Sequence, residues 1–326
     1  MQVYDLIIIG SGAAGLSAAI YAARYRLNTL VIGEQFGGET ALAGKIENYP
    51  GFKAVDGFEL MNFIKEQASA LQVPIVESKV IALKRTDHCF ELTTDKNEVY
   101  RAHEIILTQG AQRRRLGLPN EKELTGHGIS YCVTCDGPLY RNKTIALVGS
   151  GDAAVKGLNL AAEYVEKIYL LVRGKEIKAD PINYERMQTL GEKVTVLYET
   201  EVTEAMGEKQ LEKIILSKPY NGSHELIVSG LFVEIGALPN VELAEQIGVE
   251  LDEKGYIKVD TMMRTNIDGV FSAGDATNHF GGFKQDITAA ATGAVAATSA
   301  YEDHKIHGDL CPWHARPALG NSSSKI

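Results

Sequence analysis

The sequence predicts an α/β chain with two parallel-sheet domains, and three observations carry that reading. A short apolar run, a glycine turn, a stretch of helical spacing and a second short apolar run follow one another near the N-terminus. The same series returns roughly 140 residues later, about a domain's length away. The chain has 326 residues, more than one ordinary core uses. Apolar residues make up 45% and charged residues 23%, enough apolar material to fill both cores.

The first strand is expected over residues 4–9, rich in isoleucine. A helix follows over 16–25 and a strand over 29–32, one βαβ unit of a parallel sheet. The second copy reads as a strand over 144–148, a turn over 149–154, a helix over 155–164 and a strand over 168–172. Between the copies, residues 104–108 read as a buried strand. Residues 194–197 and 231–235 are placed to close the second sheet. Residues 269–273 lead as a strand into Gly274 and Asp275, before an Ala/Thr/Gly-rich stretch over 287–301. That stretch is short for a membrane span and reads as a buried helix. The tail after His304, with Ser322 to Ser324 in a row, reads as loose at its end.

A formal net charge of −9 argues against a nucleic-acid partner, which calls for a basic face, and against an anionic membrane surface. The apolar run from Leu6 to Ile9 is too short for a signal peptide. Four cysteines, Cys89, Cys132, Cys135 and Cys311, are too sparse for a disulfide scaffold and point to a cytoplasmic setting.

The first turn, Gly10-Ser11-Gly12-Ala13-Ala14-Gly15, is a complete G-x-G-x-x-G between strand and helix. Gly10 permits the tight turn, Gly12 lets backbone approach a pyrophosphate, and Gly15 lets helix and strand pack closely. The helix N-terminus then offers free N–H groups to phosphate. Glu34, after the second strand, stands at the spacing of a ribose-binding acid; a solvated loop acid fits the same position. The second turn, Gly149-Ser150-Gly151-Asp152-Ala153-Ala154, is a G-x-G-x-x-A variant. No acid closes its second strand. Arg173 stands there, with Lys175 and Lys178 behind, and positive charge suits the 2′-phosphate of NADP; a basic solvated turn is the plainer reading. Both domains are thus read as Rossmann-like.

Cys132-Val133-Thr134-Cys135 is a C-x-x-C followed by Asp136-Gly137-Pro138. Zinc needs four ligands, and only His127, Cys89 and Cys311 remain, at loose spacings with no second C-x-x-C. A redox dithiol needs only the two thiols, and the spacing lowers the pKa of one of them. Asp136 is the nearest ionisable group and is a candidate general acid toward a leaving thiolate; a turn-forming Asp before glycine is the alternative.

With these residues placed, nearly all of residues 1–304 resembles the low-molecular-weight thioredoxin reductase family. The resemblance rests on Gly10–Gly15, Gly37-Gly38-Glu39-Thr40, Glu47-Asn48-Tyr49-Pro50-Gly51, Cys132–Gly137, Gly149–Ala154 and Gly269–Asp275, in family order. It implies two Rossmann-like domains, with the NAD(P) domain (116–240) inserted into an FAD domain (1–115 and 241–310), then a tail (311–326). It implies FAD on the first cradle and NADPH on the second, a homodimer, and thioredoxin or a thioredoxin-like protein as partner. Gly38, Glu39, Thr40, Asn48, Gly110, Gly274 and Asp275 would contact FAD, with Lys284, Gln285 and Asp286 beside the flavin ring. Asp152, Ala153 and Ala154 would join the second cradle. Cys135 would face the flavin and Cys132 would attack the partner, with domain rotation alternating access.

Several positions depart from the family pattern. The family's His-Arg-Arg-x-x-x-Arg after the second cradle appears here as Val172, Arg173, Gly174 and Lys178, which weakens bidentate phosphate recognition. The usual Arg-Gln-Ala by the flavin is Lys284-Gln285-Asp286, and an acid there, if ionised, would lower the flavin potential. The Thr of the usual Ala-Thr-Gly is Gln109. The tail carries Trp313, the only tryptophan, a candidate to stack on the flavin. Alternatives for the activity keep the flavin and dithiol with another donor (NADH, reduced ferredoxin or deazaflavin) or another thioredoxin-like partner.

Overall fold

The computed structural model describes residues 3–43, 45–86, 89–281 and 283–307. The chain forms two units, one built from residues 1–111 and 239–326, the other from 112–238. The proposed tail site at Trp313 and Cys311 lies outside the described residues.

In the first unit, β1 (Val3–Ile9) and β2 (Thr29–Gly33) flank helix α1 (Ala13–Arg24). The strands pair in parallel, with Leu6 opposite Thr29. Residues 6–9 of β1 and all of β2 are buried because parallel strands are covered on both faces, which is why these stretches read as short apolar runs. Helix α2 (Gly57–Ala70) follows, its first turn capped by Asp56, and leads into β3 (Ile75–Glu77) beside β2. Then come β4 (Val80–Arg85), β5 (Phe90–Thr94) and β6 (Val99–Leu107). The strand expected over 104–108 is therefore longer at its start. Its first half pairs antiparallel with β5, Phe90 opposite Ala102, while β1 runs parallel beside it, Leu6 opposite Glu104.

The second unit has a five-stranded parallel sheet. Its strands are β7 (Ile129–Ser130), β8 (Thr144–Val148), β9 (Lys167–Val172), β10 (Val194–Tyr198) and, later in the chain, Gly230–Val233. The spatial order runs β7, then Gly230–Val233, then β8, β9 and β10. Helix α3 (Val133–Asp136) is a single turn, and α4 (Asp152–Ala161) crosses from β8 to β9. The antiparallel β11 (Val202–Met206), β12 (Lys213–Tyr220) and β13 (Ser223–Ile227), which the sequence reading did not place, form a separate small sheet. Strand β14 is the Gly230–Val233 segment already placed beside β8.

The chain then returns to the first unit. There β15 (Val270–Ser272) takes the position beside the second half of β6, Val270 opposite Ile105. The closing helix α5 (Asp286–His307) lies against α1 so closely that a Cβ on Gly293 would stand 2.0 Å from the Ala14 carbonyl oxygen. Its alanines 290, 296, 297 and 300 are buried, as a small-residue face demands at that separation. Among the described residues no helix is long and apolar enough to cross a membrane.

Candidate active site

At the first glycine turn the three glycines are required for different reasons. Gly10 has φ +120°, and a Cβ there would lie 2.3 Å from the Thr108 carbonyl oxygen. A Cβ on Gly15 would lie 1.9 Å from the Gly10 oxygen. Those two are fixed by the chain's own backbone. Gly12 is different: its φ −80° and ψ −170° suit any residue, and a Cβ would meet nothing nearer than the Gly37 oxygen at 3.9 Å. Neither strain nor packing demands glycine at 12, so the space over it is what an outside group needs. No side chain caps α1, which leaves its first N–H groups for that group. A dinucleotide pyrophosphate fits this notch.

The second turn repeats the pattern. Gly149 has φ +149°, and a Cβ would clash with the Glu234 oxygen at 2.3 Å. Gly151, at φ −85° and ψ 179°, has nothing within 4 Å of a Cβ. Ala154 is fully buried against the sheet, which is why Ala serves in place of the third glycine. Asp152 is engaged internally, its Oδ1 accepting from the Asp180 N–H at 2.9 Å and from the Asn183 amide at 2.8 Å. Arg173 and Lys178 are both exposed beyond β9. Glu34 is exposed at the end of β2 and pairs with Lys79 at 3.0 Å.

Several expected contacts of the first unit converge from separate segments. Thr40 Oγ1 donates to Asp286 Oδ1 at 2.6 Å, and the Asn48 amide donates to Gln285 Oε1 at 2.9 Å. Lys284 Nζ donates to the Thr277 carbonyl and lies 4.5 Å from the Tyr256 ring centroid. Burial holds its pKa down, against the attraction of Asp275 and Asp252. A small pocket is lined by Gly274, Asp275, Thr277, Lys284, Thr288 and Thr292 among others. Burial pushes Asp275 up to about 6; Lys284 opposes that rise, and Asp286 and Glu39 add to it. Gly110 has φ +63° with open space around it. The Gln109 Oε1 atom, beside Gly110 in sequence, is buried with no hydrogen-bond partner.

In the second unit, Cys132 and Cys135 form a disulfide. Cys132 caps α3, and its Sγ accepts from the Cys135 backbone N–H at 3.1 Å. Val133 between them is buried, and Gly157 on α4 leaves room for it, since a Cβ there would lie 3.0 Å from a Val133 methyl. The small turn is thereby seated on α4 with both sulfurs outside the core. Asp136 is half-buried, with its backbone N–H donating to the Cys132 carbonyl at 3.1 Å. Cys89, by contrast, is buried in the first unit outside any disulfide, its Sγ 3.6 Å from His103 Nδ1.

Two residues near the disulfide escaped the sequence reading. Glu121 is buried and accepts from the Leu116, Gly117 and Leu118 N–H groups at 2.7, 2.6 and 3.0 Å, and from the Tyr131 hydroxyl. Burial alone would raise its pKa, but these donors outweigh it and hold the carboxylate below its ordinary value. The available signal was an acid placed just after a glycine loop. Leu139 is 71% exposed four residues after Cys135. Its signal was a large apolar side chain in a Gly-Pro turn.

A chain with two such cradles and an exchangeable dithiol is a dinucleotide-dependent disulfide oxidoreductase. The pyridine nucleotide-disulphide oxidoreductase family profile matches residues 4–297, and the chain belongs to that family. It is 40% identical over 302 residues to a thioredoxin reductase of Mycolicibacterium smegmatis, covering 91% of this chain and 96% of that one. The crystal structure of T. acidophilum thioredoxin reductase superposes with a TM-score of 0.86 at 32% identity, covering 94% and 100% of the two chains. That of the Lactococcus lactis thioredoxin reductase superposes at 0.85, also 32% identical, covering 92% and 98%.

Proposed function

We propose that this chain is an NADPH-dependent flavoprotein thioredoxin reductase that carries electrons through Cys132 and Cys135 to a thioredoxin disulfide. The observation that carries the reading is a Cys132–Cys135 disulfide on a unit that also holds a glycine cradle open at Gly151. FAD belongs at Gly10, Gly12, Ala13, Ala14, Gly15 and Glu34, with Gly38, Glu39, Thr40, Asn48, Gly110, Gly274 and Asp275 along it. Lys284, Gln285 and Asp286 stand beside its ring. NADPH belongs at Gly149, Gly151, Asp152, Ala153, Ala154, Arg173 and Lys178. When bound, FAD supplies two-electron exchange between a pyridine nucleotide and a disulfide.

The chain's own residues divide the thiol chemistry between them. The Cys135 N–H that reaches Cys132 Sγ stabilises a thiolate there, so Cys132 is the attacking sulfur. Its attack on the partner disulfide forms a mixed disulfide and expels one partner thiolate, for which Asp136, the ionisable residue next to the pair in sequence, is the proposed proton donor. Cys135 then attacks Cys132, re-forming the internal disulfide and releasing the partner as a dithiol. Asp275, kept partly protonated near neutrality by burial, offers either a donor or an acceptor to a bound hydroxyl.

The active form is a homodimer in the cytoplasm, a reading supported by the resemblance; sedimentation at the mass of one chain would count against it. The test of the activity is NADPH-dependent reduction of thioredoxin by the purified yellow protein. Cys135→Ser should accumulate a mixed disulfide with thioredoxin through Cys132, and Cys132→Ser should not. Full turnover by either variant would refute the relay.

A further inference from the structure

The loop after β9 carries Arg173, Lys175, Glu176 and Lys178, all exposed. It is anchored to the second cradle. The Lys178 N–H donates to the Ser150 carbonyl at 2.6 Å, and Gly151 and Lys178 pair as an isolated parallel bridge. These charges therefore flank the turn at which Gly151 faces open space. Val172, the last residue of β9, is fully buried, so no carboxylate stands at the strand end to receive a ribose 2′-hydroxyl. The acid of this loop is instead two residues before Lys178. Glu176 Oε1 lies 3.1 Å from Lys178 Nζ, with the two side chains 70% and 73% exposed.

An ion pair this exposed is weak, so Lys178 is free to turn toward a phosphate at little cost. The Glu176 carboxylate cannot follow it without repulsion, because it then stands beside a group of like charge. Removing it changes the sum of the four loop charges from +2 to +3 without moving the backbone anchor.

We propose that Glu176 is a specificity-determining residue of the second nucleotide site: paired with Lys178 beside the Gly151 notch, it lowers the site's preference for the 2′-phosphorylated dinucleotide over the unphosphorylated one. Arg173 and Lys178 carry the phosphate, with Lys175 adding to the local positive charge, and Glu176 subtracts from them. The inference rests on the reading that this cradle takes a pyridine nucleotide.

The experiment is calorimetric titration of the purified flavoprotein with NADP⁺ and NAD⁺, without turnover. Glu176→Gln should tighten NADP⁺ by about three- to tenfold at low ionic strength, and the gain should shrink in 0.5 M salt, as screening of a surface charge requires. NAD⁺ should shift by less than about twofold, since it carries no 2′-phosphate. Arg173→Gln should weaken NADP⁺ alone. An unchanged NADP⁺ affinity in Glu176→Gln, or equal tightening of both nucleotides, overturns the role of Glu176 while leaving the cradle reading intact. A wild-type protein that binds neither nucleotide overturns the cradle reading and this inference with it.

Discussion

The Tyr131 hydroxyl donates to the Glu121 carboxylate, one residue before the cysteine that heads the redox turn. The same carboxylate gathers three backbone N–H groups from residues 116–118. It therefore ties the entry of the second unit to the strand that delivers Cys132. Glu121→Ala should leave three part-buried backbone donors without their carboxylate and cost roughly 2 kcal/mol, while Tyr131→Phe should cost about 1 kcal/mol. Urea unfolding of the two variants checks the order; equal losses would mean that the backbone donors find other partners.

Gly12 and Gly15 should respond in opposite ways to a single methyl. Gly12→Ala should fold with stability within about 1 kcal/mol of the parent, because its backbone and surroundings accept a Cβ. It should nonetheless lose FAD affinity by more than roughly tenfold, because the methyl fills the notch needed by pyrophosphate. Gly15→Ala should fail to fold. Flavin content and thermal unfolding separate the two effects, and a Gly12→Ala protein with full flavin would remove the notch from the site.

Asp275 should make the flavin-free protein sensitive to pH. Burial lifts its folded pKa to about 6 from an ordinary 3.8, so folding takes up a proton between those values. The stability is fully present below about pH 3.8 and is lost as pH rises through about 6. Asp275→Asn should flatten that slope and stabilise the flavin-free chain by up to roughly 3 kcal/mol at pH 8. Denaturant midpoints measured from pH 4.5 to 8 test the sign.

Leu139 is 71% exposed four residues after Cys135, and a large apolar side chain left in water there predicts a docking contact for the protein substrate. Leu139→Asp should raise KM for thioredoxin roughly tenfold with little change in kcat. Reduction of a small aromatic disulfide should be unaffected. A parallel loss with both substrates would mean the side chain supports the turn instead.

Much of this arrangement was legible in the sequence because glycine spacing and buried parallel strands both leave strong local marks. Helix ends were not. The expected start at Leu16 moves back to Ala13, and that at Val155 to Asp152, since the small residues over each notch carry no apolar period. The final helix runs on to His307 rather than Tyr301, extended past its alanine face by the Arg264–Asp303 ion pair at 2.6 Å. The β4–β5 pairing went unread although Phe90, Leu92 and Thr94 alternate at the strand period, because runs of five and six residues leave a weak local mark. At the site, the motif residues are expectations set by glycine and cysteine spacing, whereas Glu121 and Tyr131 were missed because their bonds to residues 116–118 and to each other, though local, belong to no motif with a recognisable spacing.

The interruption of the first unit by the second has a consequence for biosynthesis. During translation the second unit has every strand of its parallel sheet once residue 233 has emerged, whereas the first still lacks β15 and α5. Its leading glycine turn must wait, uncovered, for the helix whose Gly293 seats on Ala14. Truncated nascent chains should thus acquire a protease-resistant insert before any yellow colour, and a chaperone would meet the exposed flank of α1 for the longest time.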